Sequence, residues 1–251
     1  MLILLAPSEG KTPPGGPPAD LDALAFPALG PQRRRLAERL DRLAGGPPRR
    51  ALAALGLGPG QAAELEHNRG LLAAPAGPAG EVYSGVLYQH LDLGSLRGAA
   101  ATRASERLYV ASALWGVVAI GDRIPAYRLS MGARLPRIGP LATWWRPALA
   151  AALPADAFVV DLRSGAYAAA WRPASGTVVE VRAFTGRGAA RRPISHMAKA
   201  VRGEVAHALV QRRAEARTPQ DVAATVEAAG ERVELVAPAR AGGAWVVEVT
   251  R

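Results

Sequence analysis

Met1-Leu-Ile-Leu-Leu-Ala-Pro-Ser-Glu-Gly-Lys-Thr12 opens the chain and decides how the rest is read. Residues 2–6 are continuously apolar and stop at Pro7, the pattern of a strand buried on both faces of a parallel sheet. A polar loop carrying Ser8, Glu9, Lys11 and Thr12 follows at once, and loops at strand ends often carry function. Gly-Lys-Thr after an apolar strand invites a nucleotide-binding P-loop reading, which fails twice. The position five before Gly10 is Leu5 rather than glycine, and Pro13-Pro14 blocks the helix that such a loop must open.

Working outward, two further apolar strands are expected at 108–114 and 158–162, each leading toward polar residues. The first runs on into Trp115-Gly116 and the irregular stretch 122–132, which carries Asp122, Arg123, Tyr127 and Arg128. The second meets Arg163-Ser-Gly-Ala-Tyr167. Residues 13–30, rich in proline and glycine, are expected to lie over the surface. Apolar positions 36, 40 and 43 make 32–43 an amphipathic helix with an arginine-rich outer face. Within 52–65, two short helices around Gly56-Leu57-Gly58 resemble a helix-hairpin-helix, whose turn N–H groups can meet a phosphate without reading sequence. The same spelling also arises for packing alone.

Tyr83 and Tyr88 follow a Pro/Gly-rich linker, and 141–153 reads as a helix whose Trp144 and Trp145 belong to the core. Residues 177–184 alternate as a strand, 186–192 form a basic turn, and Ile194-Ser-His-Met-Ala-Lys-Ala-Val-Arg-Gly203 leads into a helix. That helix, 198–214, sets Val201, Val205 and Leu209 for burial and places Lys199 and Arg202 on neighbouring surface. Thr218 with Pro219 starts another helix, and strands 232–236 and 244–249 close the chain as a hairpin. The fold expected is α/β, a mixed sheet flanked by helices. It forms one domain over 1–251, with a helical, helix-hairpin-helix-like insertion at about 31–70.

The chain has 251 residues, about half of them hydrophobic, enough for a full core. A net charge of +10 points to a polyanionic partner, nucleic acid first, although an arginine-biased composition also makes many proteins basic. Without cysteine there are no disulfides, thiolate nucleophiles or cysteine-ligated zinc. His67, His90, His196 and His207 show no metal-ligand spacing, so no metal and no cofactor is expected. The apolar start is too short for a signal peptide and no run is long enough to span a membrane, so a cytoplasmic monomer is expected.

Of 31 basic residues only Lys11 and Lys199 are lysine. An ammonium is a compact charge whose pKa moves on burial, which arginine cannot match. If the strand ends converge, Ser8, Glu9, Lys11, Asp122, Arg123, Tyr127, Arg128, Ser164, Tyr167, Lys199 and Arg202 share one basic pocket. Arginines can fork onto phosphate, tyrosines can stack on bases, and a desolvated lysine can act as base or nucleophile. Lys11, Lys199, Ser8, Glu9 and Asp122 are the catalytic candidates. Thr12, Gly56, Gly58, Tyr83, Arg123, Tyr127, Arg128, Ser164, Tyr167 and Arg202 are candidates for holding nucleic acid or a ligand. Buried ion pairing of Asp122 with Arg123 and Arg128 is an equal alternative for that segment.

The opening stretch, Val82-Tyr-Ser-Gly85, Ser112-Ala-Leu-Trp-Gly-Val117, Pro125-Ala-Tyr-Arg-Leu-Ser-Met-Gly132, Leu162-Arg-Ser-Gly-Ala-Tyr167 and 194–203 together resemble the YaaA family of peroxide-stress proteins, in family order and over nearly the whole chain. The resemblance implies an α/β protein with a positively charged cleft, a helix-hairpin-helix-like element, DNA binding and a role in limiting oxidative DNA damage. Some relatives are associated with nucleobase hydrolysis, which makes a hydrolase acting on a modified nucleobase, nucleoside or base adduct the alternative. Ala166 and Ser130 stand where the family usually has carboxylates, and Val118-Ala-Ile-Gly121 replaces a leucine-proline run.

Overall fold

A computed structural model describes residues 1–186, 192–194 and 197–251. In chain order the elements are β1 (Leu2–Leu5), α1 (Gly30–Ala44), α2 (Pro48–Leu55), β2 (Ala76–Pro78), α3 (Ala79–Val82), α4 (Val86–Leu91), α5 (Ala99–Arg107), β3 (Leu108–Ser112), β4 (Gly116–Ala119) and β5 (Arg123–Pro125). There follow β6 (Arg134–Leu135), β7 (Gly139–Pro140), α6 (Leu141–Ala152), β8 (Val159–Leu162), α7 (Gly165–Ala168), β9 (Val178–Thr185), β10 (Arg192–Pro193), α8 (Ala198–Gln211), α9 (Pro219–Ala228), β11 (Arg232–Val236) and β12 (Trp245–Thr250).

The main sheet runs β11-β12-β9-β8-β1-β3-β4, with β10 added to β9. Its inner strands, β12, β9, β8, β1 and β3, are parallel, while β4 and β11 are antiparallel edges. The mixed sheet matches the α/β expectation. Ile3, Leu4 and Leu5 are fully buried because β1 lies in the middle, with β3 on one side and β8 on the other. This is why its sequence is apolar without alternation.

Helix α8 packs most extensively on α4. Gly203 lets the two backbones meet, since a Cβ there would clash with the Leu87 carbonyl oxygen and the His90 Cβ. Thr218 caps α9 as expected: its hydroxyl accepts the Asp221 N–H at 3.1 Å, and the Asp221 carboxylate accepts the Thr218 N–H at 3.0 Å. The basic-turn residues 187–191, together with Ser195 and His196, lie outside the described residues.

Two expectations need correction. Residues 13–30 do not simply cover the surface, because Leu21, Leu24 and Leu29 enter the core. Their apolar side chains outweigh the turn chemistry around them. Helix α1 is not arginine-rich only on its outer face either. Arg33 is fully buried and donates to the carbonyls of Trp115 (3.0 Å), Val117 (2.8 Å) and Ala25 (2.7 Å). A guanidinium in that position satisfies the carbonyls of the β3–β4 turn, which would otherwise be buried without donors.

Around Gly56, the second element is a 3₁₀ helix, Pro59–Asn68, rather than an α-helix. Gly56 takes a left-handed conformation (φ 69°) to end α2. The turn's N–H groups are already used: Gly56 donates to Ala53 (3.3 Å), Leu57 to Leu52 (2.9 Å) and Gly58 to the Gln61 side chain (3.0 Å).

Candidate functional site

Strands β8, β1 and β3 end side by side at one edge of the sheet. The chain leaves β1 toward β3 on one side and leaves β8 toward β9 on the other. Divergence of that kind opens a crevice at the carboxyl ends of the two strands. A cavity of about 550 Å³ lies there. The loop after β1 supplies Ser8, Glu9 and Lys11 to its wall, and the segment after β8 supplies Ser164 and Tyr167. Arg128 and Ser130 come from the stretch after β5, and Lys199 and Arg202 from α8. Eight of the residues expected from sequence therefore share one cavity.

The Lys11 backbone is fixed by a β-bridge to Tyr83 and by the Thr12 N–H, which donates to the Val82 carbonyl at 2.9 Å. Its Nζ donates to the Ser8 carbonyl at 3.0 Å and the Glu9 carbonyl at 3.4 Å. It stands 4.1 Å from the centre of the Tyr127 ring and 5.4 Å from that of Tyr83. The nearby Glu9 carboxylate is turned to Arg128 instead, at 3.1 Å. Lys11 thus has carbonyls and aromatic faces around it, and no carboxylate pairs with it among the described residues. Burial, then the Arg128 charge, lowers its pKa to about 7, against the weaker opposing pull of Glu64 and Glu9.

Beneath it lies a chain of buried hydroxyls. The Ser112 Oγ accepts the N–H groups of Leu114 (3.2 Å) and Trp115 (2.9 Å), so its own proton goes to the Tyr127 Oη at 2.7 Å. Tyr127 in turn donates to the Tyr83 Oη at 2.9 Å. Burial pushes both phenols well above the usual tyrosine range, so they remain neutral donors. Tyr167 is pushed up to about 12, chiefly by burial. Its Oη accepts the Met131 N–H at 3.3 Å, which leaves the phenol proton for the cavity.

Arg202 closes the cavity on the α8 side, and its Nε is buried with no hydrogen-bond partner among the described residues. Burial lowers its pKa, with Asp161 and Glu180 opposing. The same residue belongs to a second cavity of about 600 Å³, lined also by Arg146, Arg163, Arg172, Arg182 and Glu180. Arg163 is held there by Asp161 in a buried two-point pair (2.8 and 2.7 Å) and also donates to the Trp171 carbonyl at 2.9 Å. This pair anchors α7, whose other side faces the first cavity. Lys199, in contrast, is exposed at the cavity rim.

Other residues expected at the site lie elsewhere. The Asp122 carboxylate accepts the N–H groups of Ala25 and Ala119, each at 2.9 Å, and burial raises its pKa. Arg123 is on β5 and donates to the Ala76 carbonyl. Because β4 runs antiparallel to β3, with Ala119 opposite Tyr109, Asp122 emerges at the edge where the parallel strands begin. Thr12 is exposed and outside the lining, and Gly56 and Gly58 remain in their own turn. Tyr83 and Tyr127 support Lys11 from below rather than lining the cavity.

Ser84, Gly85 and Tyr88 are cavity residues that the candidate set omitted. The Ser84 N–H donates to the Ser8 Oγ at 3.0 Å, and the Tyr88 Oη donates to the Ala6 carbonyl at 2.9 Å. The Val82-Tyr-Ser-Gly85 motif was the signal for the first two. No group of three metal-ligating side chains occurs among the described residues. No helix among them is long and apolar enough to cross a membrane.

The geometry defines an α/β protein with a cation-rich cavity at the switch point of a mixed sheet. Residues 1–230 match the family model described as peroxide stress protein YaaA. A UPF0246 protein of Streptomyces coelicolor is 42% identical over 99% of this chain and 98% of its own length. UPF0246 proteins of Corynebacterium glutamicum and Corynebacterium efficiens are 40% and 39% identical, over 93% and 94% of this chain and 95% of their own lengths. The chain belongs to the YaaA family of peroxide stress proteins.

Proposed function

We propose that this protein acts in the cytoplasm, as a monomer, in the response to oxidative DNA damage, with its cavity receiving DNA or a damaged, extruded base. One observation carries this reading. Among the described residues, Lys11, Arg128, Lys199 and Arg202 meet one acidic group, Glu9, on a cavity that is also walled by Tyr88 and Tyr167. Cations matched with aromatic surface suit a base with its phosphates. The arginines that continue past Arg202 into the second cavity support a ligand longer than one base. Arg39, Arg42 and Arg50, grouped around a smaller hollow between α1 and α2, offer further phosphate contacts. In this reading those side chains, rather than the turn N–H groups of Gly56 and Gly58, meet the backbone.

Binding of a fluorescent duplex, followed by anisotropy from low to moderate salt, tests it. Affinity should fall steeply, with the logarithmic slope reporting the phosphates neutralised, and Arg202→Ala should reduce that slope by about one. Absent binding, or binding that is flat with salt, would overturn the reading.

A second reading, a hydrolase of a modified nucleobase, nucleoside or base adduct, is favoured specifically by Lys11. An amine with a pKa brought to about 7 can exchange protons or attack at neutral pH. Release of free base from duplexes containing oxidised or alkylated bases is the measurement, and Lys11→Met should abolish it.

A further inference from the structure

Resting on that reading of the cavity, we propose that Lys11 is a covalent nucleophile, and that its ligand is a phosphate-bearing aldehyde captured as an imine. The chemistry follows from what surrounds the Nζ. Two carbonyls, Ser8 O and Glu9 O, take two N–H bonds, and no carboxylate among the described residues holds the third position. The Glu9 carboxylate, which could have made an ion pair, is committed to Arg128. The β-bridge to Tyr83 fixes where the side chain starts, so the amine is aimed rather than free. Loss of one proton leaves two N–H groups matched to two carbonyls and one lone pair. Burial supports that state at neutral pH.

A carbonyl carbon is the electrophile that such an amine takes up without any further reagent. Arg128 and Arg202, which line the same cavity, would hold a phosphate beside it. The bonds balance as follows. The Nζ lone pair attacks the aldehyde carbon, and the carbonyl electron pair moves to oxygen, which is protonated. The resulting carbinolamine loses that oxygen as one water, carrying the proton it gained and one amine proton; the second amine proton returns to the group that donated the first, and a carbon–nitrogen double bond remains. Tyr167 is placed to supply the first proton, since its Oη accepts from Met131 and keeps its own hydrogen for the cavity. Two sources share this chemistry: a base-free deoxyribose within a DNA strand, and a free sugar phosphate.

Borohydride trapping separates them and tests the idea. The whole protein is incubated with a duplex containing one abasic site or, in a parallel arm, with 2-deoxyribose 5-phosphate. Borohydride then reduces any imine to a stable amine, and the modified residue is located by peptide mass spectrometry. Lys199 serves as an internal control in the same digest, because it is the chain's other lysine and is exposed. Label on Lys11 should exceed that on Lys199 by at least about tenfold at neutral pH, because an ordinary lysine is almost entirely protonated there. Lys11 labelling should rise with pH and level off above its midpoint of about 7. Label from the duplex alone assigns a strand-borne aldehyde, and label from both probes assigns the shared sugar-phosphate group.

Equal labelling of the two lysines, label confined to Lys199 or the amino terminus, or no label would overturn the proposal. Anisotropy of the same abasic duplex keeps its failure distinct from failure of the underlying reading. Binding without label rejects the imine alone, whereas no binding rejects the cavity reading as well. Lys11→Arg, which keeps a cation and removes the amine, should abolish the label without transferring it to Lys199.

Discussion

The segment after β1, residues 7–11, and the segment after β4, residues 121–123, are both short polar stretches at the end of an apolar strand. In the folded protein they face opposite edges of the sheet. β1 is parallel to its neighbours, so its loop opens where β8 and β3 also end, and Lys11 meets the cavity. β4 turns back along β3, so Asp122 emerges beside the start of that strand, and its carboxylate is consumed by Ala25 and Ala119. The difference teaches how to separate ligand-facing charges from those that build the fold. A charge whose bonding capacity is filled by backbone belongs to the scaffold. One held only by weak partners beside open space remains available.

The largest effect should come from the wall next to Lys11. Asp161→Ala strands the buried Arg163 guanidinium and should cost about 3–5 kcal/mol in urea unfolding. It should loosen α7 and weaken ligand binding through Tyr167. A loss under about 1 kcal/mol would mean that the pair does not hold the wall.

Asp122→Ala should cost about 2 kcal/mol by leaving two backbone donors unmatched near the buried Arg33. Its ligand affinity should stay within about twofold, because a scaffold charge has no place in an affinity measured on folded protein. A larger loss of affinity than this would erase the distinction between the two loops.

Lys11→Met sharpens the other side through pH. The folded amine protonates near 7 and the unfolded one near 10.5, so between those values the unfolded chain holds more protons. Stability of the wild type should therefore rise with pH across that window, and the burial penalty is fully present below about 7. Relative to wild type, Lys11→Met should be more stable by roughly 1–2 kcal/mol at pH 6, after allowance for partial exposure, with the gain fading toward pH 10. A pH-independent difference would show that Lys11 is not desolvated.

The smallest effect is expected from Lys199→Arg. It keeps the charge at an exposed rim position, so duplex affinity should change by less than about twofold. A collapse of binding would move the specific lysine requirement from Lys11 to Lys199.

Much of this was legible in the sequence. The apolar run before Pro7, the strand at β8, the Thr218-Pro219 cap and the closing hairpin are local signals, and each became the element it announced. The rarity of lysine marks Lys11 and Lys199 alike, and only their surroundings separate the partly buried one from the exposed one. Arg33 was not legible, because amphipathic spacing places an arginine outside unless distant carbonyls require it. Those carbonyls belong to Ala25, Trp115 and Val117, and the last two lie more than eighty positions away. Leu21, Leu24 and Leu29 were hidden for a related reason, since proline and glycine around them report the backbone and say little about burial.

By itself, the sequence determined the class of fold, the family, and the short set of loops that could carry chemistry. These follow from hydrophobic runs, turn residues and motif spelling, all of which act over a few residues. Only the tertiary structure decided which loops meet. Strand direction determines the edge at which a loop emerges, and that direction is set by pairing across long separations, such as Leu4 with Asp161 or Ala119 with Tyr109. The same packing shields much of Lys11 from water and gives its ammonium no carboxylate partner among the described residues, turning an ordinary lysine into one that can lose its proton near neutral pH.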